Sequence, residues 1–379
     1  MSATTATEIW REPARGGYPE AWMLSLSGAE RYRAWGRGLG PAPPLYYLTG
    51  ADFVGFGDGT SEARMPASPW LANSAGLLSG GTLAILADIA FGSSVETKLP
   101  AATPYTTAEL SLTFLAPARP GPTTEPDQPG GSLAAHGQAL HVGRRVGLSE
   151  AFILDQSGER LLAHGTSRLS IMPQLDGLPP MPEDPPVHPL GSSETDPFRR
   201  PPPTDAVLPQ QAFEALGGRE ILERQLRGDL PPPAIHHLTG IRPTEVGDGS
   251  CAHVMPASEW LQSPARRLQG GTIAMLADAG LLAAIWTTTP AGTAIAGLDL
   301  KVNFLRPVTG DGADLVCRAE VEHAGRTLAI ARARVENAEG KPVLLATGSA
   351  MYLPGRAASL AAEDELSASG TARVADLEG

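Results

Sequence analysis

The sequence predicts an α+β protein built from one domain twice over, each copy a long apolar helix wrapped by an antiparallel sheet. Three observations carry this. The block Met65-Pro66-Ala67-Ser68-Pro69-Trp70-Leu71 returns as Met255-Pro256-Ala257-Ser258-Glu259-Trp260-Leu261, displaced by 190 positions (65 to 255). Each copy holds one long helical pattern almost free of charge, opened by Gly80-Gly81 and by Gly270-Gly271. A train of strand-length stretches follows each helix, punctuated by turn residues.

The displacement also maps Leu48-Thr49-Gly50 onto Leu238-Thr239-Gly240, Gly57-Asp58-Gly59 onto Gly247-Asp248-Gly249, and Phe114-Leu115 with Pro117 onto Phe304-Leu305 with Pro307. So many landmarks in one register exclude coincidence. The register reaches back to Leu26, Gly28 and Glu30, matched by Leu216, Gly218 and Glu220, each set opening a short helix before a proline-rich turn. Extra Pro, Gly and Thr between Pro120 and Gly131 then lengthen one hairpin loop of the first copy. The domains are placed at 20–173 and 210–354. The segment 174–209, with Pro201-Pro202-Pro203, is read as an extended linker, and 355–379 as a frayed tail.

Within the first copy a helix is expected over Gly80 to Leu99, with Leu83, Leu86, Ala87, Ala90 and Phe91 at helical spacing. Strands are expected at Tyr105 to Leu115, Ser132 to Val142, Gly147 to Leu154 and Arg160 to Met172, with a turn at Gln156-Ser157-Gly158. The second copy repeats them at Thr293 to Leu305, Asp314 to Glu322, Thr327 to Glu336 and Val343 to Leu353. One apolar helix has nothing to bury against but its own sheet. His236-His237 is placed at the start of a strand, Trp70 and Trp260 in the core, and Gly57-Asp58-Gly59 with its repeat in hairpin turns.

Composition narrows the function. A 379-residue chain with 42% hydrophobic content is long enough for two or three domains, each with a core of its own. A net charge of −12 without a basic cluster disfavours nucleic acid and anionic lipid as partners. Two unpaired cysteines, Cys251 and Cys317, offer neither a disulfide framework nor a metal site, and the scattered histidines have no metal-ligand spacing. The Met1 to Gly17 segment lacks a signal-peptide core, and no apolar run is long enough to span a membrane. A cytoplasmic protein without metal or cofactor is expected.

One residue breaks the apolar pattern of each helix: Asp88, and Asp278 at the same point of the repeat. Burying an unpaired carboxylate costs several kcal/mol or raises its pKa, so two retained copies need a reason. A backbone or arginine partner would satisfy each. The alternative is chemical, since eight residues earlier a Gly-Gly pair opens the helix with free N–H groups and the positive end of the dipole. A thioester carbonyl placed there would find oxyanion donors on a backbone bare enough for close approach, with a carboxylate two turns along to supply or activate the nucleophile.

Asn73, Gly76, Gly80-Gly81, Asp88 and the strand end Thr113-Phe114-Leu115-Ala116-Pro117 resemble the signature of the PaaI-like branch of hotdog-fold acyl-CoA thioesterases. The resemblance covers both copies. It implies two tandem hotdog domains paired as an intrachain pseudo-dimer, with an acyl-CoA or acyl-carrier thioester as substrate and further assembly into a homo-oligomer. It also implies Gly80 and Gly270 as oxyanion donors, Asp88 and Asp278 as catalytic acids, Asn73 as a water-orienting group and Thr107 as support for the acid. Gly81, Gly271, Ser263, Ser79 and Gln269 would complete substrate binding. This chain departs from the signature at the motif histidine (Ser79 and Gln269), at the asparagine of the second copy (Ser263) and at the hydroxyl of the second copy (Gly297). Pairing then implies two unequal sites: Asn73 and Gly80 with Asp278, and Ser263 and Gly270 with Asp88 and Thr107. Rival readings are a non-catalytic acyl-thioester binding or regulatory protein, and a dehydratase or cyclase of lipid or polyketide synthesis, which would need a histidine beside an aspartate.

Overall fold

The computed structural model describes residues 8–121, 131–155, 157–188, 191, 193, 195–356 and 358. The first copy comprises α1 (Gly28–Gly36), α2 (Pro44–Thr49), β1 (Asp52–Phe56), β2 (Thr60–Pro66), α3 (Gly80–Glu96), β3 (Tyr105–Phe114), β4 (Ser132–Val142), β5 (Val146–Leu154) and β6 (Leu161–Ile171). The second comprises α4 (Gln210–Ala215), α5 (Gly218–Arg227), α6 (Ala234–Thr239), β7 (Arg242–Gly247), β8 (Ser250–Pro256), α7 (Gly270–Trp286), β9 (Thr293–Phe304), β10 (Asp314–Ala324), β11 (Leu328–Glu336) and β12 (Pro342–Pro354).

All strands join one antiparallel sheet of order β1-β2-β4-β5-β6-β3-β9-β12-β11-β10-β8-β7. The two copies meet where β3 pairs with β9, and there Ser111 faces Lys301, its own counterpart 190 residues on. A pseudo-twofold axis therefore passes through that pair, and the chain holds within itself the contact a twofold dimer would make between subunits. The strands end within a few residues of the expected positions. The central helix stops at Glu96 rather than Leu99, with Thr97 as its C-cap, whose N–H donates to the Ser93 carbonyl.

α3 and α7 pack against each other as well as against the sheet. They approach most closely through glycine. A Cβ on Gly81 would lie 2.5 Å from Met275 Cα, and one on Gly271 would lie 2.5 Å from Ile85 Cα, the symmetric contact. Neither side chain can be added without parting the helices. This close approach brings the N-terminus of each helix to the middle of the other, where the aspartates lie.

Two sequence expectations change. His236-His237 lies in α6, a helical turn closed by Gly240 at φ 79°, and not at a strand start; three prolines before it and a glycine after it bound a helix. The segment 174–209 is not a free linker throughout. Phe198 and Leu208 are buried, and Arg200 supplies the carbonyl that accepts the Trp70 indole N–H at 2.6 Å. The N-terminal arm does the same for the second copy, where Trp260 Nε1 donates to the Glu12 carbonyl at 2.9 Å. Each arm thus closes over the copy it does not immediately precede, and the Arg200–Glu12 ion pair at 2.7 Å links them. Both tryptophans are core residues, as expected. The expected long loop lies outside the described residues at 122–130, as do most of the expected tail and residues 1–7 of the N-terminal segment. Among the described residues, no helix is long and apolar enough to cross a membrane.

Candidate active site

Asp88 sits on the third turn of α3, buried, with the N-terminus of α7 against it. Its Oδ2 accepts the Gly271 N–H at 3.0 Å and its Oδ1 accepts the Thr107 hydroxyl at 2.8 Å. Asp278 is the symmetric partner: its Oδ2 accepts the Gly81 N–H at 2.8 Å, but Gly297 stands where a hydroxyl would be. Each carboxylate therefore belongs to one copy and its backbone donor to the other. The N-terminal dipole of each helix faces the negative charge it stabilises.

Burial pushes both aspartates upward. Asp278, with one backbone donor, rises from the ordinary 3.8 to about 6. Asp88 is also raised by desolvation, against the Thr107 hydroxyl and the Gly271 and Gly270 N–H groups, which favour its anion. The better-supported carboxylate is Asp88.

The glycines divide their work in a way the sequence does not announce. Gly81 and Gly271 give their N–H groups to the carboxylates and their bare Cα to helix packing. Gly80 and Gly270 face the approach side: a Cβ on Gly270 would lie 3.0 Å from Asp88 Oδ2 and 3.2 Å from Phe304 Cζ. At Gly80 the matching ring is tighter, with Phe114 Cζ 2.4 Å from a Cβ position and Asp278 Oδ1 at 3.1 Å. The space beside the first glycine of the second helix is thus the less crowded of the two.

Asn73 and Ser263 close the loops before α3 and α7. Asn73 Oδ1 accepts the Ala75 and Leu77 N–H groups at 2.9 and 3.2 Å, and Ser263 Oγ accepts from Ala265 and donates to the Arg267 carbonyl. Ser79 caps α3, accepting the Thr82 N–H. Gln269 differs: its Nε2 donates to the Ile85 carbonyl of the other copy at 3.0 Å, while its Oε1 is buried without a partner. A buried acceptor left unpaired costs roughly 1–3 kcal/mol.

The decisive asymmetry is access. A cavity of about 1990 Å³ is lined by Asp88, Thr107, Ser263, Gln269 and Gly270, and runs along α3 past Gly92 to Glu96. Asn73, Ser79, Gly80, Gly81 and Asp278 do not line it. In the second copy Leu282 replaces Gly92, and its Cδ2 lies 3.5 Å from a Cβ position on Gly297, across the space that the Thr107 side chain occupies beside Asp88. Arg267 and Arg306 line the open site, where the first copy has Leu77 and Ala116. Sequence inspection missed this difference, although Gly92 against Leu282 and Arg267 against Leu77 are visible once the copies are aligned.

No group of three or more His, Cys, Asp or Glu among the described residues has the arrangement of a metal site. Neither aspartate has a histidine among its hydrogen-bond partners.

Residues 75–161 and 267–344 match the model of the thioesterase superfamily, one segment in each copy. No curated protein matches the chain. Among solved structures, the chain is similar to a tesB protein of Mycobacterium avium subs paratuberculosis, at 14% identity and TM-score 0.49, covering 82% of this chain and 98% of that one. It is similar to the acyl-CoA thioesterase II TesB2 of Mycobacterium marinum at 12% identity and TM-score 0.46, over 82% and 98% of the two chains. The E. coli PaaI protein aligns at 21% identity and TM-score 0.33 over 36% of this chain and 96% of its own. With a wrapped helix and a shared sheet built from two repeats, the chain folds as a tandem pair of hotdog domains, and each repeat holds a segment that matches the thioesterase superfamily.

Proposed function

We propose that the chain hydrolyses acyl-CoA thioesters at one of its two composite sites, the one built from Asp88 and Thr107 of the first copy and Gln269 and Gly270 of the second. The observation that carries this reading is that the large cavity reaches Asp88 and the α7 N-terminus and does not reach Asp278.

In this reading the thioester carbonyl oxygen points at the N-terminus of α7, where the Gly270 N–H and the helix dipole stabilise the charge that develops on attack. Asp88 takes the proton of an attacking water. The water oxygen bonds to the carbonyl carbon, the C–S bond breaks, and the proton passes to the departing thiolate, leaving a carboxylic acid and a thiol. Thr107 holds the carboxylate in position through its hydrogen bond. Arg267 and Arg306 at the open site supply positive charge for the phosphates of coenzyme A, on a chain whose net charge of −12 would otherwise repel them.

The test is thiol release from short, long and aromatic acyl-CoAs by wild type, Asp88→Asn, Asp278→Asn and the double variant. Loss of turnover with Asp88→Asn and its retention with Asp278→Asn support the reading. Loss with Asp278→Asn alone would place the chemistry in the other site. Tight acyl-CoA binding without thiol release by wild type would make the chain an acyl-thioester binding protein.

A further inference from the structure

The cavity at Asp88 does not end in an apolar wall. Two helical turns beyond Asp88, at a rise of about 12 Å, Glu96 projects from the same face of α3. Its Oε1 meets Arg31 Nε at 2.8 Å, and its Oε2 accepts the hydroxyls of Tyr32 at 2.7 Å and Tyr105 at 3.2 Å. Arg31, Tyr32, Gly92, Glu96 and Tyr105 all line the cavity. Arg31 is only 5% exposed, so this is a desolvated charge pair at the end of a pocket and not a surface bridge.

The second copy shows that the fold does not require it. At the equivalent positions stand Ile221, Leu222, Leu282, Trp286 and Ile295, apolar at every one. The same contact between the short helix and the end of the long one is made there by hydrophobic packing, with Ile221 and Leu222 buried. Replacing that packing by a buried ion pair and two tyrosines gives no stability advantage, so the polar set answers to what occupies the cavity. Gly92 belongs to it: a Cβ there would lie 2.7 Å from the Tyr105 hydroxyl, so the bare position lets that hydroxyl turn over α3 toward Asp88.

Resting on the hydrolase reading above, we infer that this pocket receives a short acyl group ending in a hydroxyl or similar neutral hydrogen-bonding group, bound by the Tyr105 hydroxyl beside Glu96. Arg31 and Glu96 neutralise each other, which excludes a charged terminus. Tyr105 gives its proton to Glu96 and keeps its oxygen lone pairs for a donor from the ligand. An alkyl terminus would desolvate that hydroxyl without replacing its bond, and sites built for a hydrogen bond discriminate strongly against analogues that lack it.

The experiment uses two thioethers that cannot be hydrolysed, S-hexyl-CoA and its ω-hydroxyhexyl counterpart, titrated calorimetrically into wild type and Tyr105→Phe. The hydroxylated ligand is expected to bind wild type at least about tenfold more tightly, and Tyr105→Phe to bring the ratio near one while its melting temperature shows an intact fold. Equal or weaker binding of the hydroxylated ligand, a ratio untouched by Tyr105→Phe, or no binding of either thioether overturns the inference. Thiol release from the matched hexanoyl and ω-hydroxyhexanoyl thioesters separates the two readings. A binding preference without thiol release would leave the pocket assignment standing and remove the hydrolase. Thiol release without preference would do the reverse.

Discussion

Asp278 is a buried carboxylate with one hydrogen-bond donor, a pKa of about 6 and no access to the large cavity. If it is structural residue and not catalyst, removing its charge should stabilise the protein. The unfolded chain ionises this group near 3.8 and the folded one near 6. Between those values the folded state holds the proton more tightly, so folding stability falls as pH rises through this window and the full penalty is present above about pH 6. At roughly 1.4 kcal/mol per tenfold shift in the proton equilibrium, the penalty at pH 8 is about 3 kcal/mol. Asp278→Asn is neutral, nearly the same size, and its amide oxygen still accepts the Gly81 N–H. It should therefore raise stability by about 2–3 kcal/mol at pH 8 and by well under about 1 kcal/mol at pH 4, where the folded carboxyl is protonated and the unfolded one only about half ionised. Urea unfolding at the two pH values reads this directly as a shift in midpoint that shrinks on acidification. A variant no more stable than wild type at pH 8, or equally stabilised at both pH values, would refute the burial argument.

Thr107→Val removes the hydroxyl that favours the Asp88 anion, so the acidic limb of the kcat profile should move to higher pH, with activity at neutral pH reduced about tenfold and partly regained in alkaline buffer. An unshifted limb would show that the Thr107 bond does not tune the acid. Gly92→Leu gives the first copy the residue of the second and should close the pocket, cutting kcat/KM for hexanoyl-CoA about a hundredfold while sparing acetyl-CoA, which needs no room beyond Asp88; equal losses on both substrates would contradict this. Gly271→Ala sets a methyl 2.5 Å from Ile85 Cα and 2.6 Å from the Ala84 carbonyl, so α3 and α7 must part, at a cost of about 2–3 kcal/mol in chemical unfolding and with loss of turnover.

The duplication, the central helices and the strands that follow them were legible because the repeat and the apolar periodicity are local signals. The aspartates were legible for the opposite reason, as residues that violate the pattern around them. What sequence did not disclose was relational. The exchange of arms that seats Phe198 on the first copy and Ile9 in the core beside α6 depends on tertiary contact, and a proline-rich stretch gives no periodic sign of it. The short α6 escaped because its two histidines drew attention away from its bounding prolines and glycine. Asn73 carries a role by resemblance, but its side-chain oxygen is taken by its own loop, a local competition that residue identity cannot reveal.

The difference between the two sites follows from their construction. Because each takes its acid from one copy and its helix N-terminus from the other, a homodimer of identical domains would have two identical sites, and any change that suited one would alter both. Covalent tandem linkage removes that constraint. The first copy here supplies Asp88 with its hydroxyl support and the polar pocket running to Arg31 and Glu96; the second supplies the α7 N-terminus at Gly270, Gln269, and Arg267 and Arg306. The reciprocal combination gathers what is left: Leu282 and Trp286 on the acid's helix, Gly297 without a hydroxyl, and a Phe114 ring against Gly80. Asp278 persists there as the acceptor of the Gly81 N–H, and a neutral acceptor would serve that position better.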